Sequence, residues 1–366
     1  MACTRVIREK NLVYDIDVSP DGKLIAVAKR TIGVRLLNAR TGKKCKTQIK
    51  NHKMTALHVV FSPTIAPQTL LVVSALDGIL RVYDCSSGAC VAELEDNDNL
   101  LGCCTTFSPD GRLLASGSYD GGVQLWRTDN WHAPPAVLNG HIEFVVGVSF
   151  SCDGRLLASC SDDRTVRLWH ISNTTATAGP VLNVDHPVWC VAFSPVDSRL
   201  LACCGETSNV VLARVGDGAI GVERHLQGHT DEVLKLAFSP CGQTLASSSR
   251  DTIVRLWSVV SGVCLRVLQG HTSGVTDVTF FHSGKQLVTG CFDGTVRIWT
   301  TCAWSDHNHH LFGMLLKHTI FQLMCVRARL EQTHGLRRSS RRPQLPRLPI
   351  ELWLMVFEQL AVYTEI

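Results

Sequence analysis

The chain has 366 residues and a formal net charge of +4, with 36 lysine and arginine residues against 32 aspartate and glutamate residues. This balance argues against nucleic-acid binding, and no apolar run reaches the ~18 residues that cross a bilayer. The 16 cysteines include no C-x-x-C pair, so we expect no zinc site. Since no signal peptide is recognisable, we expect reduced thiols and a cytoplasmic or nuclear protein.

Seven copies of one segment follow each other along the chain. Each copy contains a turn of the FSP-DG type flanked by short runs of valine, isoleucine, leucine and phenylalanine, which predict antiparallel strands. Self-similarity at a period of about 43 residues indicates a repeat architecture. The copies end, in chain order, at Leu37, Tyr83, Trp126, Trp169, Ala213, Trp257 and Trp299.

The repeat resembles the WD-repeat family, because a Gly-His pair stands near its start and a tryptophan at its end. Gly-His occurs at 140–141, 228–229 and 270–271, while the usual Asp after the final aromatic is kept only at Tyr83-Asp84. The resemblance implies an all-β fold, a seven-bladed β-propeller of four-stranded blades. We assign residues 1–300 to this propeller and expect a short C-terminal helical tail after it.

The N-terminal segment "CTRVIRE" (3–9) resembles "CLRVLQG" (264–270), which precedes a Gly-His pair. In this family such a strand belongs to the outside of the preceding blade. For the first copy the preceding blade is the last one. We therefore expect residues 3–7 to pair with the blade that holds Trp299 and to close the ring, which leaves no open sheet edge inside it.

The resemblance also implies a hydrogen-bonded tetrad of His, Ser or Thr, Asp and Trp in each complete blade. Serine, histidine and aspartate together could suggest a hydrolase. The set recurs blade after blade, however, and a buried Asp and Trp both need hydrogen-bond partners. We expect a structural role, with no catalytic residue, cofactor or metal. The tetrads are His141, Ser159, Asp163 and Trp169; His229, Ser247, Asp251 and Trp257; and His271, Thr289, Asp293 and Trp299.

Binding in this family occurs chiefly over one face of the ring. That face is formed by the loops that lead into each first strand and by the residues just before the tetrad aspartates. Aromatic and arginine side chains are enriched in binding hot spots. We therefore expect other proteins to bind this rim, with ordinary surface exposure as the alternative for each residue. The candidates are Tyr119, Phe144, Trp189, Arg250 and Phe292.

The composition changes after residue 300. Apolar spacing favours a helical extension over 301–334, and residues 335–347 form an Arg-rich linker. Residues 348–366 predict an amphipathic helix, because Pro349 suits the first helical position and Glu351 suits a helix N-terminus. Cys302 and the nearby histidines match no tetrahedral ligand spacing, so no metal is expected there.

The segment "LPIELWLMVFEQL" (348–360) resembles the opening of an F-box, which docks on a Skp-type cullin adaptor. A SOCS box is a second resemblance, and a helix that packs on the ring or on a partner is a third interpretation. The adaptor-docking candidates are Leu352, Trp353, Val356 and Phe357. The sequence thus predicts a non-catalytic protein-interaction scaffold, with the substrate receptor of a cullin-type ubiquitin ligase as the alternative.

Overall fold

The computed structural model describes residues 2–30, 33–49, 54–63, 68–95, 101–172 and 175–300, with backbone only at 101–103. These ranges consist of strands, turns and connecting segments and contain no helix, so none of them offers a helix that could cross a membrane. The expected helical extension (301–334), linker (335–347) and F-box-like helix (348–366) lie outside the described residues.

The strands are short, most of them five or six residues long. In chain order they begin with β1 (Cys3–Arg8), β2 (Val13–Val18), β3 (Leu24–Lys29), β4 (Val34–Asn38), β5 (Ala56–Phe61), β6 (Leu70–Ala75), β7 (Leu80–Asp84), β8 (Cys90–Leu94), β9 (Leu101–Phe107), β10 (Leu113–Ser118), β11 (Val123–Arg127), β12 (Ala136–Leu138) and β13 (Val145–Phe150). They continue with β14 (Leu156–Ser161), β15 (Thr165–Ser172), β16 (Thr175–Asn183), β17 (Val188–Phe193), β18 (Leu200–Gly205), β19 (Val210–Val215), β20 (Ile220–Leu226), β21 (Val233–Phe238), β22 (Thr244–Ser249), β23 (Val254–Ser258), β24 (Cys264–Leu268), β25 (Val275–Phe280), β26 (Gln286–Cys291) and β27 (Thr295–Thr300).

Within the described residues the strands form seven antiparallel sheets, which are the blades of a propeller. Blade 1 contains β2–β4, blade 2 β5–β8, blade 3 β9–β12, blade 4 β13–β16, blade 5 β17–β20 and blade 6 β21–β24; blade 7 contains β25–β27 and β1. The innermost strand of each blade contacts that of the next, and β25 contacts β2, so the ring is closed. The prediction of an all-β, seven-bladed propeller is confirmed.

The ring closes through its N-terminal strand. β1 runs antiparallel to β27, with Val6 opposite Arg297 and Ile7 opposite Val296. The backbone N–H of Glu9 adds a hydrogen bond of 2.7 Å to the carbonyl of Gly294. The strand that precedes the first repeat is therefore the outermost strand of the last blade.

Blade 1 departs from the four-stranded pattern that the resemblance implies. Its described residues form three strands, followed by a single bridge between Leu37 and Lys44. The side-chain amide of Gln48 donates to the carbonyls of Leu36 at 3.2 Å and Cys45 at 2.8 Å. Backbone hydrogen bonds also join this segment to β4, from Asn38 N–H to the Lys43 carbonyl at 2.8 Å and from Cys45 N–H to the Leu36 carbonyl at 2.9 Å. Segment 43–49 is therefore attached to β4 without forming a regular strand.

The core lies between neighbouring blades, because each blade buries both of its faces. In blade 4, Val166 and Leu168 pack against Val191 and Phe193 of blade 5. Trp169 of the same strand packs on the other side, in a cluster that includes residues of blade 3. Burial on both faces explains why the second strand of each blade reads as a nearly continuous apolar or small-residue run.

The turn after each tetrad aspartate takes a left-handed backbone conformation. Gly294 fills this position in blade 7 with φ of 75°. Arg164 and Thr252 adopt φ of 67° and 71° at the same place in blades 4 and 6. A residue with a Cβ costs roughly 1–2 kcal/mol in this region, and a β-branched residue is the least suited to it.

Candidate functional site

The expected tetrad of blade 4 is assembled as one chain of buried hydrogen bonds. The indole N–H of Trp169 donates to Ser159 Oγ at 2.9 Å, and this oxygen lies 2.8 Å from His141 Nε2. His141 Nδ1 lies 2.8 Å from Asp163 Oδ2. The Asp163 carboxylate can only accept, so the imidazole proton lies on His141 Nδ1, and Nε2 of the neutral ring accepts the hydroxyl proton of Ser159.

Blades 6 and 7 repeat this arrangement. In blade 6, His229 Nδ1 is 2.7 Å from Asp251 Oδ2, and Trp257 donates to Ser247 at 2.8 Å. In blade 7 the corresponding distances, for His271 to Asp293 and for Trp299 to Thr289, are 3.2 Å and 3.0 Å. The structure therefore brings together all twelve tetrad residues in three separate sets.

Burial fixes the charges of the tetrads. It lowers the pKa of His141, and it lowers the pKa of His271 to about 4 against the attraction of Asp293, so both imidazoles are neutral at pH 7. Burial would raise the pKa of Asp163, but hydrogen bonds from Thr165 and His141 outweigh it and hold the pKa below its usual value. Because Ser159 is fully buried, no substrate can reach its hydroxyl. The arrangement stabilises the blade and offers no nucleophile to the surface.

The other blades depart from the tetrad in different ways. In blade 3, Trp126 donates to Ser116 at 3.1 Å. Asp98, which stands at the histidine position of this copy, lies outside the described residues. Blade 5 has Ala213 at the tryptophan position, opposite Leu201.

Blade 1 replaces the tetrad with buried ion pairs that the sequence analysis missed. Glu9 stands where complete repeats have the glycine of Gly-His. Its carboxylate is 2.9 Å from the guanidinium of Arg35 and 3.5 Å from Lys29 Nζ. An acidic residue at a glycine position of the repeat was the available signal.

One group of possible metal ligands occurs among the described residues. His271, Cys291 and Asp293 place their ligand atoms within 4.8 Å of one another. However, Cys291 Sγ donates to the carbonyl of Ser273 at 3.2 Å, and the backbone N–H of Asp293 donates to Cys291. Ser161 makes the same two contacts in blade 4. Burial also raises the pKa of Cys291 to about 12, which disfavours a thiolate ligand. We therefore assign Cys291 the role of that serine.

The candidate binding residues lie where neighbouring blades meet. We define the interaction rim as the loops that lead into each innermost strand together with the residues just before the tetrad aspartates. Tyr119 of blade 3 meets Phe144 of blade 4 edge to face, with ring centroids 5.1 Å apart. Phe292 of blade 7 meets Tyr14 of blade 1 in the same way at 6.3 Å.

The remaining rim residues follow a related pattern. Burial raises the pKa of Asp162 in blade 4, and the side chain of Trp189 in blade 5 opposes this rise. Arg250 pairs instead within its own blade, with Nε 2.8 Å from Glu232 Oε2. Its backbone lies beside Gly274 of blade 7, where an added Cβ would approach Arg250 Cα to 3.3 Å. The rim is therefore built from contacts between a pre-aspartate residue and the following blade.

Exposed apolar and acidic side chains lie next to each other on the rim. Ile142 is 83% exposed beside Phe144 at 44% and Tyr119 at 37%. Ile142 was not among the candidates predicted from the sequence, although it directly follows a Gly-His pair. The rim loops of blades 4 to 6 expose the acidic residues Glu143, Asp185, Glu206 and Asp231.

The innermost strands of all seven blades line a central cavity of about 180 Å³. Lys235 of blade 6 reaches across it, with Nζ 3.3 Å from Asp15 Oδ1 of blade 1. His58 Nε2 of blade 2 is 3.7 Å from the same carboxylate. Burial raises the pKa of Asp277 to about 8 and that of Asp17 to about 7. No sequence pattern predicts this cluster, because its members are scattered over four repeats.

Comparison with known proteins defines the class of the chain. A family profile described as "WD domain, G-beta repeat" matches residues 88–127, 133–170, 179–212, 221–258 and 262–300. These ranges cover just over half of the sequence, and the chain belongs to this family. Propellers of the family generally serve as non-enzymatic platforms for protein interaction.

Curated relatives share the repeat region. "Cell division cycle 20.1, cofactor of APC complex" from Arabidopsis thaliana is 24% identical over 261 residues, which cover 69% of this chain and 55% of that protein. "Telomerase protein component 1" from Rattus norvegicus is 26% identical over 250 residues, covering 68% of this chain and 7% of that protein. "Pre-mRNA-processing factor 19 homolog 2" from Arabidopsis thaliana is 29% identical over 127 residues, which cover 34% of this chain and 23% of that protein. The chain spans about half the length of the first relative and less of the other two.

Proposed function

We propose that the chain is a non-catalytic scaffold that binds a protein partner over the interaction rim. The observation that carries this proposal is the exposed apolar surface of Tyr119, Ile142 and Phe144, which spans the junction of blades 3 and 4. Aromatic side chains on a rigid framework bind with little loss of conformational entropy. The partner would place an apolar side chain on this surface.

The charges next to this surface support a partner that also carries basic residues. Glu143 and Glu206 both add to the rise that burial causes in the pKa of Asp162, so negative charge is crowded between blades 4 and 5. A lysine or arginine of the partner would relieve this repulsion. Charge complementarity of this kind contributes to specificity and to the association rate.

The test compares partners captured by three forms of the full chain. An Ile142→Ser/Phe144→Ser double variant alters the rim, while Val260→Ser alters a residue that is 82% exposed in the β23–β24 connection. We expect at least one partner to bind the wild type and Val260→Ser equally and to lose at least ~10-fold in affinity for the double variant. All three proteins should have the same melting temperature. Equal capture by all three forms would contradict the use of this rim.

A second candidate function is the substrate receptor of a cullin-type ubiquitin ligase. The segment "LPIELWLMVFEQL" favours it, because Leu352 and Val356, like Trp353 and Phe357, are four residues apart and would share one face of a helix. In this proposal the tail docks a Skp-type adaptor, or elongin in the SOCS-like variant. The propeller would then hold the substrate.

Co-purification of the adaptor separates this candidate from the plain scaffold. The three proteins are the full chain, a chain cut at Gly335 and a Trp353→Ala/Phe357→Ala variant. The ligase proposal expects an adaptor with the full chain alone. If none of the three captures either adaptor and the double variant loses stability, the helix belongs to the fold and the ligase proposal fails.

A further inference from the structure

Blade 5 places two cysteines directly opposite each other. Cys190 on β17 is the register partner of Cys204 on β18. Immediately beyond the paired residues of these two strands, the backbone N–H of Ser194 donates to the carbonyl of Leu200 at 2.9 Å. Hydrogen-bonded pairs alternate along an antiparallel ladder, so Cys190 and Cys204 form such a pair, with Cα atoms about 5.5 Å apart. Disulfides join Cα atoms at 4.4–6.8 Å, so the Cα spacing of this pair lies within the range that a disulfide can span.

The two side chains also lie on the same side of the blade. Both belong to one buried cluster, which includes Leu236 and Leu245 of blade 6. Cys203, the chain neighbour of Cys204, belongs instead to the cluster on the other side, with Val191. The opposed thiols therefore lie on the same side of the sheet, and Cys203 is turned away from them.

The surroundings of Cys190 favour its thiolate form. Cys190 lies at the central cavity together with Lys235, as Cys104 does, while Cys204 is fully buried. A hydrogen bond from Cys204 and the charge of Lys235 lower the pKa of Cys190 despite its burial. Burial instead raises the pKa of Cys203 to about 12. Thiolate character governs reaction with oxidants, so Cys190 is the more reactive sulfur of the pair.

We propose that Cys190 and Cys204 are an oxidisable dithiol, in which hydrogen peroxide that enters the central cavity converts the pair into a disulfide. The Cys190 thiolate attacks one peroxide oxygen, the O–O bond breaks, and the released hydroxide takes up a proton to form water. The Cys204 thiol loses its proton and attacks the sulfenic sulfur of Cys190, which expels a second water. Two thiols are oxidised by two electrons in total, and one peroxide is reduced to two waters.

The bond would join the two inner strands of a blade that has no tetrad. Val184, Cys203, Thr207 and Ala213 stand at the tetrad positions of blade 5, so no histidine–aspartate link ties its strands together. A disulfide between β17 and β18 would add a covalent link there and would leave the contacts between blades unchanged. Thiol reductants would reverse it.

The experiment treats the folded full chain with hydrogen peroxide, quenches it in acid and alkylates the remaining thiols in denaturant before peptide mass spectrometry. We expect a Cys190–Cys204 crosslink in the wild type and in the control Cys203→Ser. In Cys204→Ser, where no second thiol faces Cys190, dimedone should label Cys190 as the sulfenic acid. Lys235→Gln should slow the loss of the Cys190 thiol by about tenfold, the change that one pKa unit makes in thiolate fraction.

The exposed residue Cys241 is the internal reference for general oxidation. Recovery of Cys190 and Cys204 as alkylated thiols, under conditions that oxidise Cys241, would overturn the proposal. So would equal rates of thiol loss at Cys190 and Cys203 in the wild type. Both results are read from the wild-type chain, so they do not depend on whether a variant folds.

Discussion

Replacing Asp251 by alanine tests the structural role of the tetrads. Its carboxylate accepts from His229 Nδ1 at 2.7 Å and from the backbone N–H groups of Thr230 at 3.1 Å and Ile253 at 3.0 Å. The backbone of Thr230 is exposed and can be satisfied by water, whereas the His229 side chain is fully buried. The substitution therefore leaves one buried imidazole N–H without an acceptor and empties the space of the carboxylate.

The expected loss of stability follows from these contacts. An unsatisfied buried donor costs about 1–3 kcal/mol, and hydrogen bonds to a charged group contribute more than neutral ones. We expect Asp251→Ala to lower the free energy of unfolding by about 2–4 kcal/mol. Asp251→Asn keeps one acceptor oxygen for His229 and should cost about half as much.

Urea titration followed by tryptophan fluorescence measures the loss. The matched control is Asp217→Ala, because the side chain of Asp217 is 91% exposed and pairs only with exposed Arg199 at 3.1 Å. Surface pairs of this kind contribute about 0–1 kcal/mol. Equal midpoints and slopes for Asp251→Ala and Asp217→Ala would refute the assignment of the tetrad as a stabilising network.

Four further predictions address other parts of the ring. Deleting residues 2–8 removes β1 from β27 and should lower the melting temperature by more than about 5 °C; an unchanged value would mean that ring closure does not depend on β1. Glu9→Gln leaves Lys29 and Arg35 without their buried counter-charge and should lower the free energy of unfolding by about 3 kcal/mol, as measured by urea titration. A change near zero would contradict the role of these ion pairs. Thr252→Gly relieves a positive φ and should raise the urea midpoint, corresponding to about 0.5–1 kcal/mol; a lowered midpoint would show that the threonine is not strained. Asp277 has a folded-state pKa of about 8, above the unfolded value of about 3.9, so the folded chain retains a proton that the unfolded chain releases. The free energy of unfolding of the wild type, relative to that of Asp277→Asn, should therefore fall as the pH rises from 5 to 8, by at most about 1.4 kcal/mol per pH unit. A constant difference between the two proteins over this range would show that Asp277 ionises normally.

The sequence by itself determined the architecture of this protein. Each copy of the repeat, about 43 residues long, has turn-forming and strand-forming residues at the same positions. These are local features that can be identified without knowledge of the fold. The three complete tetrads could be aligned for the same reason, because their members keep fixed spacings within one repeat. His229, Ser247, Asp251 and Trp257, for example, assemble within a single blade and the loop that leads into it.

Only the tertiary structure decided what meets between repeats. Lys235 and Asp15 are 220 positions apart in the sequence. They form an ion pair because the closed ring places the innermost strands of all blades around one cavity. Tyr119 and Phe144 meet because blades 3 and 4 are neighbours, and Cys190 faces Cys204 because the strand register sets them opposite each other. Local periodicity fixes which residues form a strand, whereas contacts across the ring depend on how the blades pack and how many close the circle.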